Sequence, residues 1–213
     1  RPITTVCFVA RSEQSAQRFV DTVASRVPAV KLVRCKGARE LLSKCPVIIA
    51  ATTSADPVVP SEPALLEGKH YLSIGSFRPS MQELPNAVYE LAGCVVVDSD
   101  AARHEVGDLI NPLGAGVLRE ESIYHLAQLT TGVRSVDVRR TTVFKSIGFA
   151  LYDLYAASAL VAEAQRVGRG TVLESDQRSG LMHSITGAAN RYPSLRFMVI
   201  IPRLSAWFSV SRI

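Results

Sequence analysis

A chain of 213 residues and 23.1 kDa holds one full domain, or one and a part. Its 47% hydrophobic and 20% charged residues, with a mean hydropathy of +0.17, exclude wholesale disorder, and no run approaches the roughly 20 apolar residues of a membrane-spanning helix. The formal charge of +5 is uneven: from Asp176 onward five arginines face one aspartate, a net +4, so the body is nearly neutral and the pattern argues against a dedicated nucleic-acid binder, while the lack of a long apolar run argues against a membrane partner.

Arg1 to Ala10 lacks the long apolar core of a signal peptide, and a cytoplasmic protein is expected. Cys7, Cys35, Cys45 and Cys94 form no CxxC pair and have no close histidine, so free thiols packed as small hydrophobes are expected in place of a zinc site or disulfides. His70, His104, His125 and His183 are equally scattered, with no metal pair at helical spacing and no nucleophile elbow.

In chain order, Ile3 to Val9 is an apolar, β-branched run suited to a buried parallel strand. Arg11 closes it. Ser12 then predicts an N-cap for a helix from Glu13 to about Arg26, with Ala16, Phe19, Val20 and Val23 on one face. A second strand is expected at Val30 to Arg34, a helix at Ala38 to Leu42, and an apolar strand at Pro46 to Ala51 ending in Thr52, Thr53 and Ser54. Further strand-like runs are Ala64 to Leu66, Tyr71 to Ile74 before Gly75, and Cys94 to Val97 before Asp98.

Strands of four to six apolar residues alternating with helices predict an α/β protein with a Rossmann-type, doubly wound parallel sheet, because each crossover helix covers one face. Ligands in such folds sit at the carboxyl ends of the strands. A GxGxxG turn after a buried strand is not found in the sequence. Its nearest stand-in, Gly114-Ala115-Gly116, follows Asn111-Pro112-Leu113 and reads as a loop. Thr142 to Phe144 is expected as a strand with Lys145 to Gly148 as its exit, then a long helix from Phe149 to about Arg166 ended by Gly168 and Gly170. Past Glu174 only Phe197 to Ile201 reads as a strand.

Four ordered blocks carry a family resemblance: Ile74-Gly75-Ser76-Phe77-Arg78-Pro79-Ser80-Met81-Gln82-Glu83-Leu84, Val95-Val96-Val97-Asp98-Ser99, Glu105-Val106-Gly107-Asp108-Leu109 and Thr141-Thr142-Val143-Phe144-Lys145-Ser146-Ile147-Gly148. Over about Ile3 to Leu173 the chain resembles the ornithine cyclodeaminase and mu-crystallin family. The resemblance implies an incomplete Rossmann domain at 1–140 that lacks its first strand and glycine-rich loop. It further implies a C-terminal segment at 141–175 whose helix returns to a substrate and dimerisation domain, and leaves an unassigned basic tail at 176–213.

The resemblance also implies a site. Arg11 and Ser12 match the turn that chooses between the two nicotinamide coenzymes; a guanidinium with no carboxylate there favours NADP, with NAD the runner-up. Thr52, Thr53, Ile74, Gly75 and Ser146 match coenzyme-lining positions, and Phe77 and Ile147 match positions facing the substrate. Cyclodeaminases of the family carry an aspartate where Phe77 stands and a lysine where Met81 stands, whereas Arg78-Pro79 and Glu83-Leu84 resemble the branch that reduces cyclic ketimines or interconverts amino and keto acids. The expected function is therefore NAD(P)-dependent hydride transfer at a C–N bond of a small amino acid or cyclic imine, in a homodimer. Ornithine cyclodeaminase activity, and a non-catalytic ligand-binding or truncated member, are the alternatives. No catalytic acid is assigned.

Overall fold

The computed structural model describes residues 3–173 and the strand at 197–199. Two compact units divide the chain, Arg1–Phe149 and Ala150–Ile213. In chain order the first contains β1 (Thr5–Phe8), α1 (Glu13–Arg26), β2 (Lys31–Arg34), α2 (Ala38–Lys44), β3 (Val47–Ala50), α3 (Pro63–Leu66), β4 (His70–Ser73), α4 (Asn86–Leu91), β5 (Ala92–Val97), α5 (Ala102–Glu105), α6 (Gly107–Gly114), β6 (Ile123–His125), α7 (Leu126–Thr130) and β7 (Thr141–Lys145). The second contains α8 (Ala150–Arg166) and an antiparallel pair, β8 (Thr171–Leu173) with β9 (Phe197–Val199). Most of the basic tail, 176–213, lies outside the described residues.

Every strand pair of the first unit is parallel, as the apolar runs predicted. The strands divide, however, into two sheets: β1 pairs β2, and a five-stranded sheet runs β3-β4-β7-β5-β6. Among the described residues β1 and β3 each pair along one edge only. β7 is the middle strand of the larger sheet, and the compact unit extends past it to Phe149.

Side-chain alternation makes one face of that sheet the core. The register aligns Ile48, Tyr71, Val143, Val95 and Ile123 in one row across all five strands, every one of them buried. Leu66, Leu84, Val88, Tyr89, Ala102, Val106 and Leu109 cover it from the helical side. The opposite face of β3 is open, with Val47 51% and Ile49 64% exposed.

Local chemistry sets the boundaries. The Ser12 hydroxyl accepts from the Ser15 N–H at 3.1 Å and starts α1, where the Phe19 ring lies 4.7 Å from that of Phe8. His125 is the N-cap of α7: its Nδ1 accepts from the Ala127 N–H while the Gln128 side chain accepts from the His125 N–H. The run Ala64 to Leu66, expected as a strand, is helix α3, because Pro63 at the first helical position presets the turn. Gly114 to Gly116 closes helix α6, with Gly116 at φ 70°, and makes no phosphate cradle. The four cysteines are free thiols, with Cys35 and Cys94 buried.

Tyr71 and Tyr89 are fully buried core phenols. Burial pushes both above their ordinary value, and the Asp108 and Glu83 carboxylates raise Tyr89 further. Their stabilising contribution is fully present below the ordinary tyrosine value of 10.0 and is lost as pH climbs past it. In an absorbance titration these two phenolates are expected to form only with alkaline unfolding; a single midpoint for all tyrosines in a still-folded chain would contradict this.

Candidate functional site

The carboxyl ends of β3, β4 and β7 lie side by side, since these are neighbouring parallel strands. One row above the apolar core row, the register places Ala50, Ser73, Lys145 and Val97 together, all buried. The same alternation that drives Val143 inward therefore drives Lys145 inward two residues later. The sequence predicted Lys145 as a strand exit. It is the last residue of β7, and its ammonium is sealed in the protein.

A buried ammonium needs partners for three donors, and the loops supply them. Lys145 Nζ donates to Ser73 Oγ at 3.1 Å, to the Ser76 carbonyl at 2.8 Å and to Ser76 Oγ at 2.8 Å. Asp108, in the first turn of α6, lies 3.5 Å from the same Nζ and is also fully buried. Its Oδ2 accepts from the hydroxyls of Ser73 and Ser76, and its Oδ1 from the N–H groups of Glu83 and Leu84 at 2.9 and 3.0 Å. Burial pulls the Lys145 ammonium below its ordinary value, against the opposing pull of Asp108 and Glu83.

Glu83 completes the cluster. Its Oε1 accepts from the N–H and hydroxyl of Thr52, and its Oε2 from the N–H groups of Gly75 and Ser76; Oε2 also lies 3.0 Å from Ser73 Oγ, whose single proton it shares with the nearer Asp108. Two segments after different strands are thereby clamped by one carboxylate. The Tyr89 hydroxyl is buried near Asp108 without a hydrogen bond of good geometry.

Glycine is required where the segments meet. A Cβ on Gly75 would lie 2.0 Å from the Thr52 carbonyl oxygen, 2.2 Å from its nitrogen and 2.6 Å from Glu83 Oε1. Likewise a Cβ on Gly107 would lie 2.5 Å from the Met81 carbonyl oxygen and 2.6 Å from that of Pro79. A second carboxylate secures the end of β7: buried Asp98 accepts from the Ser146 hydroxyl at 2.5 Å and the Ile147 N–H at 3.3 Å.

The structure thus brings together Thr52, Ile74, Gly75, Ser146 and Ile147 at adjoining strand ends, with Thr53 exposed beside Thr52. The Thr52 and Ser146 hydroxyls donate inward to carboxylates, leaving only lone pairs for any ligand. Ile74 and Phe77, 49% and 50% exposed, give this end of the sheet an apolar surface, with the Arg78 guanidinium 5.1 Å over the Phe77 ring. Arg11 and Ser12 lie at the end of β1, in the two-stranded sheet; Ser12 is the N-cap of α1 and Arg11 is exposed. Glu13, in that turn, is salt-bridged to Arg34. Among the described residues no group of histidine, cysteine and carboxylate side chains could hold a metal ion, and no helix is long and apolar enough to cross a membrane.

Glu83, Asp108, Asp98 and Lys145 were not read from the sequence as a constellation. The available signal was an acidic residue following each of two loops that are packed, through Gly75 and Gly107, against backbone.

Two substitutions probe this arrangement. Gly75→Ala forces backbone apart and is expected to cost about 1–3 kcal/mol, while Lys145→Met strands two buried carboxylates and is expected to cost about 3–5 kcal/mol. Denaturant unfolding measures both, and a Lys145→Met protein as stable as the parent would show that the ammonium is not the counter-charge.

Comparison with known proteins gives these residues a context. Residues 1–167 match the model of the ornithine cyclodeaminase/mu-crystallin family. A Delta(1)-pyrroline-2-carboxylate reductase of Bacillus thuringiensis is 33% identical over 178 residues, which are 82% of this chain and 54% of the relative. The ketimine reductase mu-crystallin of Mus musculus is 31% identical over 147 residues, 69% of this chain and 43% of the relative. Among solved structures, the Thermococcus litoralis Delta(1)-pyrroline-2-carboxylate reductase in complex with NADH and L-proline superposes with a TM-score of 0.73 at 29% identity, over 80% of this chain and 53% of that one. The chain spans about half the length of the curated relatives it matches. It belongs to the ornithine cyclodeaminase/mu-crystallin family.

Proposed function

We propose that the whole protein reduces a cyclic ketimine, of the class of Δ1-pyrroline-2-carboxylate, with a nicotinamide coenzyme. The reduced coenzyme supplies a hydride to the imine carbon and a proton is taken up at nitrogen, so the C=N bond becomes an amine and the coenzyme is oxidised. One observation carries the choice over cyclodeamination. Where family cyclodeaminases place an aspartate, this chain presents the half-exposed ring of Phe77, which accepts no proton. The nearby carboxylates Glu83, Asp108 and Asp98 are buried and engaged by backbone and hydroxyl donors.

The described residues fit part of a dinucleotide. Ile74 offers an apolar contact for the nicotinamide, with the backbone of Thr52, Thr53 and Gly75 and with Ser146 nearby, while Phe77 and the half-buried Ile147 extend the apolar surface toward the substrate. Arg11 offers a guanidinium to a ribose 2′-phosphate, and the only acidic residue of that turn, Glu13, is taken by Arg34, which favours NADP over NAD. The strand and glycine-rich turn that cradle a pyrophosphate would fit between β1 and β3, two of the four strands of the first unit that, among the described residues, pair along one edge only. The relatives, about twice as long as the matched segment, have the length to hold such a unit and a substrate domain. The exposed Leu151, Leu154, Tyr155 and Leu160 of α8 suit a homodimer contact.

The test is a steady-state assay of the whole protein with Δ1-pyrroline-2-carboxylate and NADPH or NADH. Coenzyme oxidation with proline formation is expected, and proline formed from ornithine would overturn the reading. Arg11→Ala is expected to lower the NADPH to NADH ratio of kcat/KM by about 10- to 100-fold, the equivalent of one charge-assisted bond of about 1.5–3 kcal/mol. An unchanged ratio would leave Arg11 outside the coenzyme site.

A further inference from the structure

Glu83 does work that neither its fold position nor the proposed reaction requires of a core residue. The N–H groups of Thr52, Gly75 and Ser76 converge on its two oxygens, at 2.8 Å for Gly75 and 3.3 Å for Ser76. Loop N–H groups at the carboxyl ends of parallel strands are the donors with which such folds hold anions. Here an internal carboxylate already occupies them, and its charge is balanced from below through Ser73 by Lys145. The Thr52 and Gly75 backbones can meet because Gly75 has no Cβ, and Glu83 is the group that ties them after they meet.

We infer that Glu83 is a positioning residue for the nicotinamide end of the coenzyme, setting the spacing between the Thr52–Thr53 segment and the Ile74–Phe77 segment. This rests on reading that surface as the coenzyme site. Glu83 itself, fully buried, touches neither coenzyme nor substrate. Its effect passes through two backbone segments, so its loss loosens both together. A glutamine there keeps the volume but must turn an NH2 toward one of the two sets of donors, Thr52 on one side or Gly75 and Ser76 on the other.

Hydrogen exchange of the whole Glu83→Gln protein, followed by mass spectrometry, reads this without any ligand. Exchange at residues 52–54 and 74–77 is expected to accelerate by about tenfold or more, while α1 and β5 keep parental rates. In the reductase assay the coenzyme KM is expected to rise about tenfold or more, with kcat at saturating coenzyme changed far less. Parental exchange in both segments, or acceleration spread over the whole first unit, overturns the positioning role. If Glu83→Gln does not fold, Thr52→Val removes the hydroxyl bond to Oε1 together with the acceptor of the Ser54 N–H, so the readout is taken at residues 52 and 53. Acceleration there then supports the inference, and its absence overturns it. A parent protein without reductase activity would sink the proposed reaction alone, because the exchange result is read independently of turnover.

Discussion

A lysine buried to complete exclusion from solvent governs the architecture of this chain. Lys145 stands in the middle strand of a five-stranded sheet, where ordinary hydrophobic alternation would place valine or isoleucine. Removing an ammonium from water costs several kcal/mol even after relaxation, and hydrogen bonds with a nearby anion must offset it. That demand explains an otherwise disconnected set of features. Ser73 is polar in the core of β4, the chain after β4 turns back so that Ser76 and Glu83 face the cluster, and α6 begins with Asp108 aimed inward. The polar centre fixes the loops, and the loops carry the candidate site.

The sheet around that centre is built from rows. The Ile48 to Ile123 row supplies the apolar stability, and the row above it, nearer the carboxyl ends of the strands, exchanges part of that stability for directional bonds. Such a trade favours specificity of arrangement over burial energy, because each hydrogen bond contributes only about 1 kcal/mol net while an unmade one costs more. The open β3 face and the unpaired edges of β1 and β3 show the same logic in reverse. There, apolar side chains and backbone groups have no partner among the described residues.

Much of this was legible in the sequence and some was not. The strands at Thr5–Phe8, Lys31–Arg34, Val47–Ala50, His70–Ser73 and Ala92–Val97 are legible from short β-branched and apolar runs between turn signals, although only Ala92–Val97 is largely buried; Lys31–Arg34 has no buried residue and Val47–Ala50 has one face exposed. The helix after Ser12 is marked by its cap and its spacing. Short helices such as Asn86–Leu91 and Ala102–Glu105 are too brief to show a period, and Ala64–Leu66 is apolar in a way that suits either state. The strand Ile123–His125 has only three residues. Family likeness implies Thr52, Gly75 and Ser146 as site residues, but it does not show the carboxylates beneath them as one cluster, since a buried acid has no local pattern and is held in part by groups distant in sequence. Asp108 and Ser73, 35 positions apart, are an example. The division into two sheets was equally hidden, because strand adjacency is a property of topology and not of any one strand's residues.

The inward turn of these carboxylates has a chemical consequence for the surface above them. Thr52 and Ser146 have given their protons to Glu83 and Asp98, and the Gly75 and Ser76 N–H groups have given theirs to Glu83. What remains outward at the strand ends is apolar: Ile74, Phe77 and part of Ile147, with a guanidinium stacked on one ring. A surface with few free donors and no outward carboxylate at Phe77 is poorly suited to moving protons on and off a substrate amine, as a deamination requires. Under the proposed reduction its share would be to hold a flat ring while a hydride crosses, a step that asks the protein for orientation more than for acid or base. The buried charge and the apolar floor are therefore two sides of one arrangement, in which polar groups spend their bonding capacity on position and leave an apolar face exposed, the face on which the proposed function seats the coenzyme.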